Sequence, residues 1–262
     1  KMKFLDIYNQ DKKILSNILN DFKKNITNGD FILGKAVNDF EKKFSSFCNV
    51  KYAIGCGNGT DALTIALKSL NLPKNSEVII PAMTYCSTAF AVINANLKPV
   101  LADIDFMKPT ISVEKIKKKI NSKTKVIIPV HLYGSSADIK RIKTLIKNKN
   151  IKIIDDCAQA HGAFDDSFKK KIKIGSSTDI SCFSLYPGKN LGAYGDAGII
   201  TTNNKKYYTI INKIRNLGSN KKFYHDYVGV NSRLDTIQAS ILIRKLKYLD
   251  KNNQKRKRIA QI

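Results

Sequence analysis

A single lysine stands among small, apolar and aromatic residues in "SLYPGKNLGAYGDAGII", which spans residues 184–200. Glycines occupy positions 188, 192, 195 and 198 around Lys189, and glycine lets a backbone turn sharply or approach a ligand closely. Removing an amine from water lowers its pKa and leaves it nucleophilic, as imine formation with an aldehyde requires. Lys189 is therefore the first candidate for covalent chemistry.

Two adjacent acids and a nearby amide occur in "IIDDCAQAHGA", residues 153–163. Acids that follow an apolar strand are costly to bury unless they are paired, so we expect a cationic partner for Asp156. Gln159 comes three residues later, and we expect it on the same side of a helical turn. The alternative interpretation is that Asp156 only caps that turn.

Four further residues suggest the rest of a binding site. In "GNGTDAL", Gly59 and Thr60 open a predicted helix, where free N–H groups and a hydroxyl can bind a phosphate, although a simple turn with an N-cap has the same pattern. Tyr85 in "PAMTYCST" can stack on a flat ring, although a packed core tyrosine is the alternative. Ser184 lies five residues before Lys189.

These residue types together match the chemistry of one ligand. A ring to stack on, a phosphate to bind, a basic ring nitrogen for a carboxylate and an aldehyde for a lysine are the parts of pyridoxal 5′-phosphate. A carboxylate against the pyridine nitrogen keeps it protonated, so that the ring accepts electrons released at the substrate carbon.

The elements that position these residues alternate along the chain. Residues 11–27 and 35–47 have helical periodicity, and short apolar strands separated by amphipathic helices follow them. Strands are predicted at 51–57, 76–81, 98–105, 124–130, 151–155, 179–185 and 197–203. Helices are predicted at 60–70, 86–96, 112–120 and 137–149, and as one long helix from Asp235 onward. This alternation predicts an α/β fold with a mostly parallel sheet covered on both faces, and ligands bind such a sheet beyond the carboxyl ends of its strands.

Composition is typical of a globular protein. A chain of 262 residues with 43% hydrophobic residues predicts one large domain. It has no apolar run of membrane-spanning length, and its opening residues lack the apolar region of a signal peptide, so we expect a cytoplasmic protein. Five scattered cysteines and three dispersed histidines favour buried reduced thiols over disulfides or a metal site.

The formal net charge is +25, which raises the question of nucleic-acid binding. Of the 46 lysine and arginine residues, only six are arginine. Nucleic-acid readers depend on arginine for bidentate contacts, and no motif of a reader module accompanies the charge. We therefore expect no nucleic-acid partner, and a basic protein is still suited to an anionic substrate.

The motifs resemble a known family in combination. The segments that carry the resemblance are "GDFILGKAVNDFEKKFSSFCNVKYAIGCGNGTDALTIAL", "EVIIPAMTYCSTAFAVINANLKPVLADID", "IIPVHLYG", "IIDDCAQAHGA", "SLYPGKNLGAYGDAGII" and "GVNSRLDTIQASIL". They are similar to signature segments of the DegT/DnrJ/EryC1/StrS family of sugar aminotransferases, across nearly the whole chain. The resemblance implies the large domain of a type I, aspartate-aminotransferase-like, pyridoxal-phosphate-dependent transferase, with a mostly parallel sheet flanked by helices.

The resemblance also implies a role for each matching residue. Lys189 forms the internal imine and then shuttles protons, Asp156 pairs with the pyridine nitrogen, and Gln159 contacts the hydroxyl side of the ring. Tyr85 covers the ring face. The phosphate ligands are Gly59, Thr60 and Ser184, together with Asn231 from the other subunit of a homodimer with shared active sites. Tyr133, His161 and Tyr194 are expected near the site without an assigned role.

The implied reaction moves an amino group from an amino acid, glutamate in the family, to a nucleotide-linked keto-sugar for surface polysaccharide or glycoconjugate synthesis. Relatives that carry histidine in place of the lysine are dehydratases, and Lys189 favours transamination here. Family members continue past residue 262, so we expect a large domain at 1–234 and a helix at 235–262 leading to a small domain outside this sequence. The alternatives are a cofactor-binding but inactive fragment and a dehydratase.

Overall fold

The computed structural model describes residues 5–221 and 223–262. The first four residues of the chain lie outside the described part. They belong to the predicted large domain and to the opening segment that we expect to lack a signal peptide. The helices of the described chain are α1 (Ile7–Asp11), α2 (Leu15–Thr27), α3 (Lys35–Cys48), α4 (Gly59–Ser69), α5 (Ser87–Asn94), α6 (Val113–Lys119), α7 (Ile139–Ile146), α8 (Lys205–Arg215), α9 (Thr236–Leu246) and α10 (Leu249–Ile259). None of them is long and apolar enough to span a bilayer.

A seven-stranded sheet forms the centre of the molecule. Its strands are β1 (Tyr52–Cys56), β2 (Glu77–Pro81), β3 (Lys98–Ala102), β4 (Thr124–Ile127), β5 (Lys152–Asp156), β8 (Ile180–Ser184) and β9 (Gly198–Thr202). They lie in the order β1-β9-β8-β5-β4-β2-β3. Two hairpins outside the sheet pair β6 (Phe164–Asp165) with β7 (Ile172–Lys173) and β10 (Ser219–Lys221) with β11 (Tyr224–His225).

Six strands of the sheet run in one direction and β9 runs against them. The pairs β3–β2, β2–β4, β4–β5 and β5–β8 are parallel, whereas β9 is antiparallel to both β8 and β1. The carboxyl ends of the six strands therefore meet at one edge of the sheet, where an α/β fold binds its ligand. The prediction of a mostly parallel sheet flanked by helices is confirmed.

Strand β2 shows why the sheet is buried on both faces. Its residues are all buried, and successive side chains of a strand point to opposite faces. Val78 and Ile80 pack into the core that α4, α5 and α8 cover, whereas Ile79 packs with residues of α6 and α7. A third core, which includes Phe40 and Phe44, lies beneath α3 and α9.

Two sequence predictions need correction in the second half of the chain. The single long helix predicted from residue 235 is two helices, α9 and α10, separated at Lys247 and Tyr248. Helix α8 was not predicted, although Tyr207, Ile211 and Ile214 recur at helical spacing and pack against the core. It begins at a local capping contact, in which the side chain of Asn204 accepts hydrogen bonds from the N–H groups of Lys206 and Tyr207.

A buried ion pair ties α3 and α8 to the edge strand β1. The guanidinium of Arg215 donates to the carboxylate of Glu41 and to the carbonyl of Gly55, and the Gly55 N–H donates to the same Glu41 oxygen at 2.8 Å. Both charged side chains are almost fully buried. Breaking such a pair from one side leaves a charge without a partner in the interior.

We predict that Glu41→Gln lowers the free energy of unfolding by about 3 kcal/mol, because it leaves Arg215 buried without an anion. Denaturant unfolding measures the change. Asp39→Asn in the same helix is the matched control, since it removes the exposed Lys35–Asp39 pair, and such pairs contribute less than about 1 kcal/mol. Equal losses for the two variants would contradict the prediction.

Candidate active site

A cavity of about 760 Å³ lies at the carboxyl edge of the sheet. Segments that follow β1, β2, β5 and β8 line it, as expected for this fold. The sequence-predicted residues that line the cavity are Gly59, Thr60, Tyr85, Asp156, Gln159, Ser184 and Lys189. Seven residues from four separate segments are therefore brought to one site.

Asp156 is the last residue of β5 and is almost fully buried. Its carboxylate accepts a hydrogen bond from the Thr88 hydroxyl at 2.8 Å and one from the Ala158 N–H at 3.1 Å. Burial raises the pKa of this carboxyl, against the effect of the two hydrogen bonds. Within the described ranges its hydrogen-bond partners are a hydroxyl and an amide, so the cationic partner expected from the sequence is not in direct contact, although the nearby Lys189 charge lowers the pKa of this carboxyl. A cationic ligand group in the cavity would be stabilised here.

The preceding acid, Asp155, points away from the cavity and is fully buried. Its carboxylate accepts from the Thr178 hydroxyl at 2.8 Å and lies 3.6 Å from Nε2 of His131, whose Nδ1 accepts the Ala137 N–H at 3.2 Å. Donor atoms of His131, Asp155 and Cys157 lie within 4.8 Å of one another. These contacts describe a polar support behind β5, and the absence of a metal site stays a prediction.

Lys189 is half-buried in the connection between β8 and β9. Burial lowers the pKa of its amine, and the charge of Asp156 partly opposes that shift. The loop turns tightly there, because the Lys189 N–H donates to the Tyr186 carbonyl at 2.8 Å. A larger fraction of this amine is therefore neutral at neutral pH than for an ordinary lysine, as a nucleophile and proton carrier requires.

The start of α4 forms the opposite, anion-binding end of the cavity. Asn58 caps the helix through the Asp61 N–H, and the first-turn N–H groups of Gly59 and Thr60 have no partner within the helix. A Cβ at position 59 would lie 2.6 Å from the Ser184 Cβ, so glycine is needed for the helix to start this close to β8. Gly59, Thr60 and Ser184, which the resemblance implies as phosphate ligands, all line the same cavity, and their role as ligands stays a prediction.

Ser87 was missed from the sequence. It opens α5, lines the cavity and accepts a hydrogen bond at 2.9 Å from the Thr60 hydroxyl. The signal was present, since Ser87 begins a helix a few residues after a buried strand, and Thr60 lies in the first turn of a helix that also follows a strand. Its hydroxyl adds a further polar group to the anion-binding end of the cavity.

The aromatic and amide residues of the site differ in how firmly they are held. Tyr85 is 72% exposed at the cavity, which rules out the alternative of a packed core tyrosine. The Tyr133 N–H donates to Oε1 of Gln159 at 2.7 Å, and this contact orients the amide. His161 is buried, with its ring 5.4 Å from the Phe183 ring, and it does not line the cavity.

Asn231 is exposed and does not line the cavity of its own chain. Its neighbour Ser232 is buried and is anchored to the start of α4, because its hydroxyl donates to Asp61 at 2.7 Å and accepts from the Gly57 N–H at 3.0 Å. Asn231 is thus presented outward from a fixed segment. A role in another subunit's site stays a prediction.

The thiols differ from expectation at one position. Four of the five cysteines are buried and free, but Cys86 is free and exposed, next to Tyr85. Burial raises the pKa of Cys157 and Cys182 well above the ordinary thiol value, so these two stay protonated.

The residues present fit pyridoxal 5′-phosphate. Free N–H groups at a helix start suit its phosphate, the buried Asp156 carboxylate with only uncharged direct partners suits its ring nitrogen, and a partly desolvated Lys189 suits its aldehyde. The exposed ring of Tyr85 is available for stacking on a flat ligand.

The fold and the site define the class as the large domain of a type I pyridoxal-phosphate-dependent transferase. The family model for the DegT/DnrJ/EryC1/StrS aminotransferase family matches residues 12–262. The chain belongs to this family.

Individual relatives agree with this assignment. A dTDP-3-amino-3,6-dideoxy-alpha-D-galactopyranose transaminase from Aneurinibacillus thermoaerophilus is 44% identical over 98% of this chain and 70% of its own length. The structure of DesV from S. venezuelae in complex with a ketimine intermediate superposes with a TM-score of 0.91 at 33% identity, covering 96% of this chain and 67% of DesV. NtdA from Bacillus subtilis with bound cofactor PMP gives a TM-score of 0.85 at 31% identity, over 95% of this chain and 56% of NtdA.

We predict that His161 makes the folded state sensitive to acid. Burial lowers its pKa to about 4, whereas an unfolded chain binds the proton near the ordinary pKa of about 6.5. Stability is therefore lost as the pH falls from about 6.5 to about 4, by up to about 3 kcal/mol. Urea unfolding across this range should show a shallower pH dependence for His161→Gln. His225→Gln, at an exposed histidine, is the control, and identical slopes for His161→Gln and the wild type would refute the prediction.

Proposed function

We propose that this protein is a pyridoxal-phosphate-dependent aminotransferase that moves an amino group from an amino acid to a nucleotide-linked keto-sugar. The family resemblance implies that the amino acid is glutamate. The observation that carries the proposal is the presence in one cavity of a partly desolvated Lys189 and a buried Asp156 whose direct hydrogen-bond partners are uncharged. When bound, pyridoxal 5′-phosphate supplies an aldehyde and a protonated ring that takes up electrons released at the substrate carbon.

Lys189 has two tasks in this proposal. Its neutral Nζ is the nucleophile toward the aldehyde, and the same nitrogen accepts the proton released from the donor's α-carbon. In the second half-reaction it returns a proton to the former keto carbon of the sugar. Small neighbours and the half-buried position keep the amine neutral and mobile between these tasks.

The other residues bind and orient. Asp156 stabilises positive charge on the ring nitrogen, and Thr88 fixes the carboxylate in place. Gln159, oriented by the Tyr133 N–H, faces the ring hydroxyl side. The start of α4 and the Thr60 hydroxyl hold the phosphate, since a helix N-terminus favours an anion.

The substrate is proposed to carry its keto group at C3. The support is the name of the Aneurinibacillus thermoaerophilus transaminase, which specifies a 3-amino sugar. The strongly positive net charge of this chain suits a nucleotide diphosphate sugar, because such a substrate is anionic. The cytoplasmic location predicted from the sequence stays a prediction.

A homodimer with shared sites is part of the proposal. Asn231 points outward from a segment anchored to α4, Tyr85 is exposed at the cavity, and Phe90 and Ile93 are exposed, large apolar side chains of α5. Exposed apolar side chains that together form a large patch are typical of a protein interface. We also propose, from the family resemblance, that 1–234 acts as the large domain and 235–262 leads to a small domain.

The first test reduces the protein with borohydride in the presence of pyridoxal 5′-phosphate and locates the label by peptide mass spectrometry. We expect the label on Lys189, and we expect Lys189→Ala to lose both the label and amino transfer to a 3-keto sugar nucleotide, the latter by roughly a thousandfold or more. Lys205→Ala, at an exposed lysine at the start of α8, is the control and should keep both. A label on another residue in place of Lys189 would contradict the proposed role of Lys189.

The shared site is tested by mixing two inactive or impaired variants. Asn231→Ala should weaken cofactor binding, and Lys189→Ala should abolish transfer. If each site takes Lys189 from one subunit and Asn231 from the other, re-associated mixtures regain about one quarter of the wild-type sites by statistical pairing. Mixtures no more active than their components, with dimers present by gel filtration, would argue against sharing.

A further inference from the structure

The connection that carries Lys189 has little internal structure. It runs from Leu185 to Ala197 between β8 and β9, and it is closed at its neck where the Leu185 N–H donates to the Ala197 carbonyl and the Ala193 N–H donates to the Leu185 carbonyl, both at 2.8 Å. No helix or strand lies between these residues. Its shape therefore depends on contacts from other parts of the chain.

Tyr194, five residues after Lys189, makes two such contacts on the outer side of this connection. Its hydroxyl donates to Oδ2 of Asp11 at 2.9 Å, and its N–H donates to Oε1 of Gln238 at 2.9 Å. Asp11 is the last residue of α1, and Gln238 belongs to α9. The connection is thus held between the first helix of the described chain and one near its end.

Lys245 of α9 completes the arrangement. Its Nζ donates to the same Asp11 oxygen at 2.8 Å and lies 5.1 Å from the centre of the Tyr194 ring. The side chains of Asp11 and Lys245 are each only 6% exposed. Burial and the neighbouring Asp11 charge raise the pKa of the Tyr194 phenol, so it remains a hydrogen-bond donor across the physiological pH range.

Two further contacts hold the lysine-bearing connection against other parts of the chain. Gly188 lies near Leu5, since a Cβ built on Gly188 would lie 3.8 Å from the Leu5 side chain, and the amide of Asn190 donates to Asn253 of α10 at 2.8 Å. Asp11, Lys245 and Asn190 line a second cavity of about 460 Å³. Asp11, Lys245 and Tyr194 are absent from the lining of the larger cavity, so they reach the site only through the connection.

We propose that Asp11, Lys245 and Tyr194 form a brace that fixes the lysine-bearing connection and so sets how readily Lys189 reacts with a carbonyl group. They are positioning residues, because none of them lines the larger cavity. The proposal rests on the proposed function for the role of Lys189, but the brace itself is defined by contacts of this chain.

The physical link is the hydration of the amine. Burial is the largest influence on the pKa of Lys189, and the charge of Asp156 opposes it; the Lys189 charge in turn lowers the pKa of the buried His161. A connection released from Asp11 would admit water around Nζ, which brings the pKa of Lys189 back toward that of an ordinary lysine. Less of the amine would then be neutral at pH 7 to 8.

The test measures the reactivity of Lys189 without any cofactor. Wild type and variants are reductively methylated with formaldehyde and a mild borohydride over a range of pH, and the rate at each lysine is read by peptide mass spectrometry. Tyr194→Phe is the main variant, since it removes one hydroxyl and keeps the Asp11–Lys245 pair. Asp11→Asn is the second variant, and Tm is recorded for all of them.

Two variants are matched controls. Tyr248→Phe removes the hydroxyl of Tyr248, which lines the second cavity. Asp21→Asn breaks the pair in which Arg244 of α9 donates twice to Asp21 of α2, at 2.7 and 2.8 Å. That pair also joins α9 to an early helix, but it does not touch the lysine-bearing connection.

We expect Tyr194→Phe and Asp11→Asn to move the pH midpoint of labelling at Lys189 upward by roughly half a unit or more, with other lysines unchanged. Both controls should leave that midpoint in place, even where Asp21→Asn lowers Tm. An unchanged midpoint in Tyr194→Phe, or an equal shift in Asp21→Asn, would overturn the brace. Failure of pyridoxal phosphate to bind would instead count against the proposed function, because this labelling does not use it.

Discussion

The interaction on which this structure depends is the burial of the Asp156 carboxylate at the end of β5. A charge removed from water costs free energy unless a partner of opposite sign meets it, and its nearest donors are a hydroxyl and an amide. The site is therefore suited to a positively charged ring nitrogen. The sheet places this carboxylate opposite a helix start that favours an anion, so a ligand with both charges would bind in one orientation.

Arginine and lysine have different tasks in this strongly basic chain. Three of the six arginines, Arg141, Arg215 and Arg244, form ion pairs, and Arg215 does so almost fully buried. Most lysines are exposed, and Lys245 and Lys189 are the informative exceptions: one is buried with an acid, and the other is half-buried with its pKa lowered. The burial of a cation, more than the total charge, identifies the lysines and arginines with structural or proposed catalytic roles.

Much of the fold and seven of the residues that line the cavity could be predicted because their signals are local. Alternating apolar strands and amphipathic helices predicted the sheet, and residues that follow strands, such as Thr60 and Asp156, were found by position alone. The remaining features depend on contacts between distant parts of the chain. The hydrogen bond between Tyr194 and Asp11 spans 183 residues, and nothing in either local segment indicates it. The break between α9 and α10 likewise lacks a proline or glycine that would have marked it.

Strand β9, the one strand of the sheet that runs against the others, has a consequence for how this fold diversifies. Because β9 returns antiparallel beside β8, with Ser184 opposite Gly198, the chain leaves and re-enters the sheet at the same edge. The segment between them is a connection whose two ends are fixed by the pairing of β8 with β9. Its length and composition can change over evolution without altering the register of a neighbouring strand, so new chemistry at the lysine position can arise on an unaltered scaffold.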